Sequence, residues 1–223
     1  MTTRTADEAR ANYIEKMGEP LGTQYAALLQ KVAALHMVWG EFVELFRDET
    51  RVDVLNRVAP AMFHIIGHAL WQLTLLDIAR LTDRPKSMGK KNLTIRNLPE
   101  LVKPEVKADV QKLVDAASER SDVCRDHRNR QLAHLDLDLL TNQSAKPLEA
   151  ATTKMVGEAI DAIGSVLKEV HIQYVGGALH FSRNVGGAGN ALMLLRLLQH
   201  GLIARDKKLL DMLPIKEAYP GDI

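Results

Sequence analysis

The stretch Leu21-Gly-Thr-Gln-Tyr-Ala-Ala-Leu-Leu-Gln-Lys-Val-Ala-Ala-Leu-His-Met-Val-Trp-Gly-Glu-Phe-Val-Glu-Leu-Phe46 decides the fold class. Within it Leu21, Tyr25, Leu28, Val32, Leu35, Trp39, Phe42 and Phe46 follow one another at steps of four and three. That spacing lays one apolar seam along a helix of seven turns or so and suits a partner helix packed at a shallow angle. A single seam of this length predicts a bundle rather than a sheet-based fold.

Working outward, Leu55, Val58, Met62, Ile65, Ala69, Leu73 and Leu76 predict a second helix, with Pro60 either kinking it or marking its first turn. From Thr82 to Pro104 the pattern breaks into loop residues, Asp83, Pro85, Gly89, Pro99 and Pro104, with a short turn around Ile95 to Leu101. A third helix is expected from Pro104, its stripe running through Val106, Val110, Leu113 and Ala117. Asn142 to Pro147 reads as a turn, and a fourth helix carries Leu148, Met155, Ala159, Ile163, Val166 and Val170. Ala191 to His200 reads as a helix and Asp206 to Leu213 as a last short one; the glycines at 186, 187 and 189 read as a hinge. Alternating strand-type runs are almost absent. The expectation is an all-α protein: an antiparallel bundle of four to five main helices. Residues 1–20 form an N-terminal segment, 21–175 the bundle, and 176–223 a helical extension packed on the bundle or on a partner.

Composition narrows the function. Hydrophobic residues make up 46% and charged residues 26% of the 223, a globular profile. An aromatic content of 4% argues against a platform that stacks bases. The lone Cys124 excludes an internal disulfide and a cysteine-rich zinc site, fits a reducing cytoplasm, and reads as a small buried hydrophobe. The start is polar, so no signal peptide is expected. Ala61 to Ala79 is the most apolar stretch, yet it contains His64, His68, Gln72 and Asp77, so a buried helix and no membrane span is expected. The net charge of +1 gives no global basic field, so any nucleic-acid contact must come from a local cluster.

One such cluster sits on the third helix. Its stripe continues through Ser121, Cys124, Arg128 and Gln131, so an apolar seam turns polar and cationic with no stop signal between. Aiming an unpaired arginine into a buried seam is costly, which points to a partner carboxylate or an anionic ligand. The run Arg125-Asp-His-Arg-Asn-Arg-Gln-Leu-Ala-His-Leu-Asp136 places Arg128, a polar Asn129 and then His134. Arg-polar-x4-His falls within the Arg-x4–6-His pattern, and the run resembles the abortive-infection (AbiU-like) branch of the HEPN superfamily. The resemblance extends over roughly residues 20–175. It implies a HEPN-like bundle acting as a metal-independent endoribonuclease, with no cofactor, in phage defence or as a toxin. The partners it implies are an RNA substrate, a second protomer that completes the cleft, and an antitoxin protein.

On that reading Arg128 and His134 are catalytic and Asn129 orients one of them. Arg130, Arg125, Lys90 and Lys91 contact RNA. Asp136 would hold the His134 tautomer. Arginine grips phosphate oxygens with a planar fork, and histidine titrates near neutrality as acid or base. Six residues at about 100° each leave Arg128 and His134 roughly 120° apart on a straight helix. A helix end near Ala133 or a partner protomer would resolve that, whereas Arg130 and His134 share a face. The plain alternative is that Arg128 and Arg130 pair with Asp126, Asp136 or Asp138 on a solvated helix end. A non-catalytic helical module binding nucleotide, RNA or a protein through the same groove is the second reading. The third is a metal site at His64 and His68, one helical turn apart but without a visible third ligand. Packed or partner-bonded histidines are the better reading of that pair. Arg84, Lys86, Lys90 and Lys91 form a basic loop suited either to RNA phosphates or simply to solvent.

Overall fold

The computed structural model describes residues 5–87, 89–132, 148–181 and 189–206. The fold is all-α, with α1 (Ala6–Met17), α2 (Glu19–Phe46), α3 (Glu49–Val58) and α4 (Pro60–Leu81) in the first half. A two-strand hairpin follows, β1 (Lys86–Ser87) and β2 (Lys90–Lys91), then a 3-10 helix at Ile95–Glu100. Next come α5 (Pro104–Arg120), α6 (Asp122–His127), a wide π turn at Arg128–Leu132, α7 (Thr153–Tyr174) and α8 (Ala191–Asp206). Two compact units are present: one is residues 1–40 with 69–184, the other 41–68 with 185–223.

In the larger unit the core is the seam of α2. Leu21, Tyr25, Leu28, Val32, Leu35 and Trp39 are buried against Leu75, Ile78 and Ala79 of α4. Val106, Val110, Val114 and Ala117 of α5 and Ile160, Ile163, Leu167 and Val170 of α7 are buried with them. Neighbouring helices run antiparallel. Tyr25, early in α2, bonds Leu167 and His171, late in α7, while a β-carbon at Gly157, early in α7, would lie 3.8 Å from Trp39 Nε1. The Lys103 amide, at the start of α5, donates to Tyr174 Oη at the end of α7 at 2.7 Å. Pro104 opens α5 at the first-turn position its sequence predicts.

Helix α1 is not legible as a hydrophobic stripe, being polar almost throughout, but its ends are specified. Thr5 and Glu8 form a capping box and Gly18 reverses the chain at φ +82°. A β-carbon at Gly22 would lie 2.6 Å from Ile14 backbone atoms, so glycine lets α1 close onto α2 there.

Two expectations are corrected. Pro60 marks a first turn, as one of its two readings has it, but the helix it opens is not the buried one its stripe suggests. Met62, Ile65 and Leu73 are 57%, 62% and 41% exposed, and only 22% of the most apolar window of α4 is buried. The stretch is apolar nearly all round, so periodicity does not choose the inward face, and Phe63, Thr74, Leu75, Ile78 and Ala79 take it instead. By length and composition α4 could cross a bilayer, and it is the one such helix among the described residues. His64 and His68 lie on its exposed side, and no cluster of three metal-ligating side chains occurs among the described residues. The second correction concerns the third helix, which breaks at Ser121. The Ser121 hydroxyl donates back to the Ala117 carbonyl at 2.7 Å, competing with the helical ladder, and a new helix starts at Asp122.

In the smaller unit α3 packs on α8, joined by Arg57–Asp206 at 2.9 Å. Glu41 Oε2 accepts from the first amide of α8, Ala191 N–H, at 2.6 Å, an acidic group at the positive end of a helix. Helix α8 extends to Asp206, beyond the expected His200; the expected helix at 206–213 otherwise lies outside the described residues.

Fully buried Tyr25 meets His171 Nδ1 at 3.0 Å. Burial and, after it, the Lys16 charge hold the His171 pKa below its ordinary 6.5. Neutral imidazole is therefore the form the fold prefers. A pKa lower in the folded than in the unfolded state adds stability above about 6.5 that is lost as pH falls through the folded value. The urea midpoint is expected to drop as pH is lowered from neutrality through this range, and the drop should shrink in His171→Gln. An unchanged pH dependence in that variant would assign it to other groups.

Candidate functional site

The end of α4 and the start of the 3-10 helix are tied together by Thr94. Its buried Oγ1 lies 2.9 Å from both the Leu81 and Asp83 carbonyl oxygens and accepts the Arg96 amide at 3.3 Å. Asn92 Nδ2 donates to the Arg84 carbonyl at 2.9 Å, and the Asn92 carbonyl accepts from Asn97. These bonds tie the hairpin and the 3-10 helix to the end of α4, and Arg96–Ser118 and Arg125–Thr82 bonds bring in the break in the α5–α6 helix.

Between them lies a polar cleft of about 440 Å³, lined by Thr82, Asp83, Arg84, Ser87, Arg96, Arg125, Arg128 and Asn129. Four arginines face one carboxylate there. Arg128 Nη2 donates to Asp83 Oδ1 at 2.5 Å, and each side chain is about a quarter exposed, at 26%. Arg128 Nε is buried and has no acceptor among the described residues. Arg125 is spent on its own chain: its Nη1 donates to Thr82 Oγ1 at 3.2 Å, and its Nη2 to the Ser118 carbonyl at 2.8 Å and to Asp122. Arg96 Nε donates to Ser118 Oγ at 3.1 Å. Ser118, on the inner face of α5, therefore orients two of the four arginines.

The α5–α6 seam stays buried through Ser121 and Cys124 and reaches half-buried Arg128, while Gln131 is exposed. Burial pushes the Cys124 thiol up to about 11, an inert small hydrophobe as its position on the seam implies. From Arg128 the backbone widens to i→i+5 spacing, a distortion common at functional sites. Arg128 and Asn129 line the cleft. Arg130 does not: it lies 3.8 Å from Asp126. Lys90 and Lys91 are exposed on β2 and lie outside the cleft lining. His134, with Asp136 and Asp138, falls outside the described residues.

Of the residues that line the cleft, the sequence singles out Arg84, Arg125, Arg128 and Asn129 but not Arg96, nor Asp83 as a partner of Arg128. Asp83 is a loop residue whose contact is 45 positions distant. Arg96 had a faint signal, a cation set between the buried Ile95 and Leu98.

The all-α fold is consistent with a HEPN-type module. The AbiU2 model of that group matches residues 18–190, and the chain belongs to the HEPN AbiU2 family. No match was found among curated proteins or among solved structures.

Proposed function

We propose that the protein is a metal-independent endoribonuclease of HEPN type that cuts single-stranded RNA by attack of the 2′-hydroxyl on the adjacent phosphate. The observation that carries this reading is the four-arginine cleft gathered around Arg128 and Asn129. Such cleavage needs removal of the 2′-hydroxyl proton, stabilisation of charge on the phosphate, and protonation of the leaving 5′-oxygen. The guanidinium of Arg128 supplies the second, supported by its cationic neighbours. His134 supplies a group that gives and takes protons near neutral pH, and a second protomer supplies the other copy, so that one imidazole acts as base and its mate as acid. Asn129 orients the reacting groups. Arg130, Lys90 and Lys91 serve RNA bound beyond the cleft. In this reading the cell uses the activity in the cytoplasm, against phage or as a toxin held by an antitoxin.

One observation favours a second reading, a module that binds RNA, nucleotide or protein without cutting: Asp83 already occupies part of the Arg128 fork. Assay in excess chelator separates the two. The nuclease reading expects single-stranded RNA to be cut with 2′,3′-cyclic phosphate ends, and expects His134→Ala to lose that cleavage while still binding RNA. RNA left intact by the wild type, or equal cleavage by His134→Ala, would overturn it in favour of the binding module.

A further inference from the structure

The four arginines of the cleft differ in what already satisfies them. Arg125 has its fork bonded to Thr82, Ser118 and Asp122, and Arg128 is shared with Asp83. Neither Arg84 nor Arg96 is paired with a carboxylate among the described residues. Arg96 is nonetheless held: Ser118 Oγ takes its Nε–H at 3.1 Å, and Thr94 fixes its backbone. Among the described residues the Nη end of the fork is left for another acceptor. Crowding cations in a partly buried cleft raises their mutual repulsion, which an anion relieves.

The lining also says what kind of anion. Among the described residues it consists of threonine, serine, asparagine, aspartate and arginine, with no aromatic platform for a base. Four guanidinium groups favour recognition of backbone phosphate, which arginine matches bidentately. The volume of about 440 Å³ falls within the roughly 300–1,000 Å³ that encloses a drug-sized ligand, more than one phosphate needs.

We propose that Arg96 and Arg84 form a second phosphate subsite, which takes the phosphodiester next to the one at Arg128. The ligand class is then an oligonucleotide with at least two consecutive phosphodiesters, read by backbone and not by base. This rests on the reading of Arg128 as a phosphate contact, and the test separates the two.

Fluorescently labelled 2′-O-methyl UpU and UpUpU carry one and two internal phosphodiesters and cannot be cleaved through a 2′-hydroxyl. Their binding to the intact protein is measured by anisotropy over a series of salt concentrations. Wild type is expected to bind UpUpU roughly tenfold more tightly than UpU, the effect of one added charged contact. Arg96→Ala and Arg84→Ala should each bring that ratio towards one and flatten the log–log salt slope for UpUpU by about 0.7. Arg128→Ala should weaken both probes and leave the ratio intact. Arg84 is exposed, so its variant keeps the test readable even if Arg96→Ala lowers stability. A wild-type ratio near one, or a ratio unmoved by both Arg96→Ala and Arg84→Ala, overturns the subsite. Should Arg128→Ala bind both probes like wild type while Arg96→Ala and Arg84→Ala abolish the ratio, the subsite stands and the role given to Arg128 fails.

Discussion

Arg128→Ala is expected to slow RNA cleavage by on the order of 100- to 1,000-fold, the usual consequence of removing one donor aimed at developing transition-state charge. Arg128→Lys should recover little of this, because an ammonium offers a point charge where the site presents a planar fork. The fold should tolerate both changes. Arg128 and Asp83 are each about a quarter exposed, so water can reach the carboxylate left behind, and the stability loss should stay near 1 kcal/mol. Single-turnover cleavage rates set beside thermal melts of the same preparations make the comparison. A rate that falls only in proportion to lost folded protein would show that Arg128 is a structural ion-pair partner.

Trp39→Ala is expected to cost about 3–5 kcal/mol, a large share of the roughly 5–15 kcal/mol that holds a protein of ordinary stability. Trp39 is 2% exposed and stands where three helices converge. Its ring centroid is 6.1 Å from that of Trp71 on α4, and Gly157 on α7 passes close enough that an added β-carbon would touch the indole. Emptying that position removes contacts in three directions at once, and the surrounding helices can close the cavity only in part. Trp39→Phe should recover much of the loss. Urea unfolding of both variants measures this, and an alanine variant within about 1 kcal/mol of wild type would mean that Trp39 is peripheral to the core.

How much of this was legible depended on whether chemistry was local. The α2 seam could be read because large apolar side chains recur at steps of four and three from Leu21 to Phe46 without a break. Helix α4 defeated the same reading because it is apolar nearly all round, so Met62, Ile65 and Leu73 fitted a seam that in fact faces outward. Helix α1 carried its signal in its ends, a Thr-x-x-Glu box and a terminal glycine, and not in a stripe. At the site, Arg128 announced itself as a cation on a buried seam, a conflict that one sequence can display. Its resolution, through Asp83 and the neighbouring Arg96, comes from other elements brought in by the fold, and no spacing along the chain encodes that meeting. Arg130 shows the converse: adjacent in sequence to the motif, it is turned away to Asp126.

The wide turn at Arg128–Leu132 changes what kind of alteration this region can bear. Such a turn houses one more residue than the α-helix would over the same hydrogen-bonded loop. Substituting a side chain leaves the count untouched, whereas deleting a residue would let the backbone relax to ordinary α spacing and remove the wide turn that follows Arg128. The number of residues here, more than their identity, sets the turn. Beyond Arg128 and Asn129, drift in this segment should be tolerated by exchange and punished by gaps.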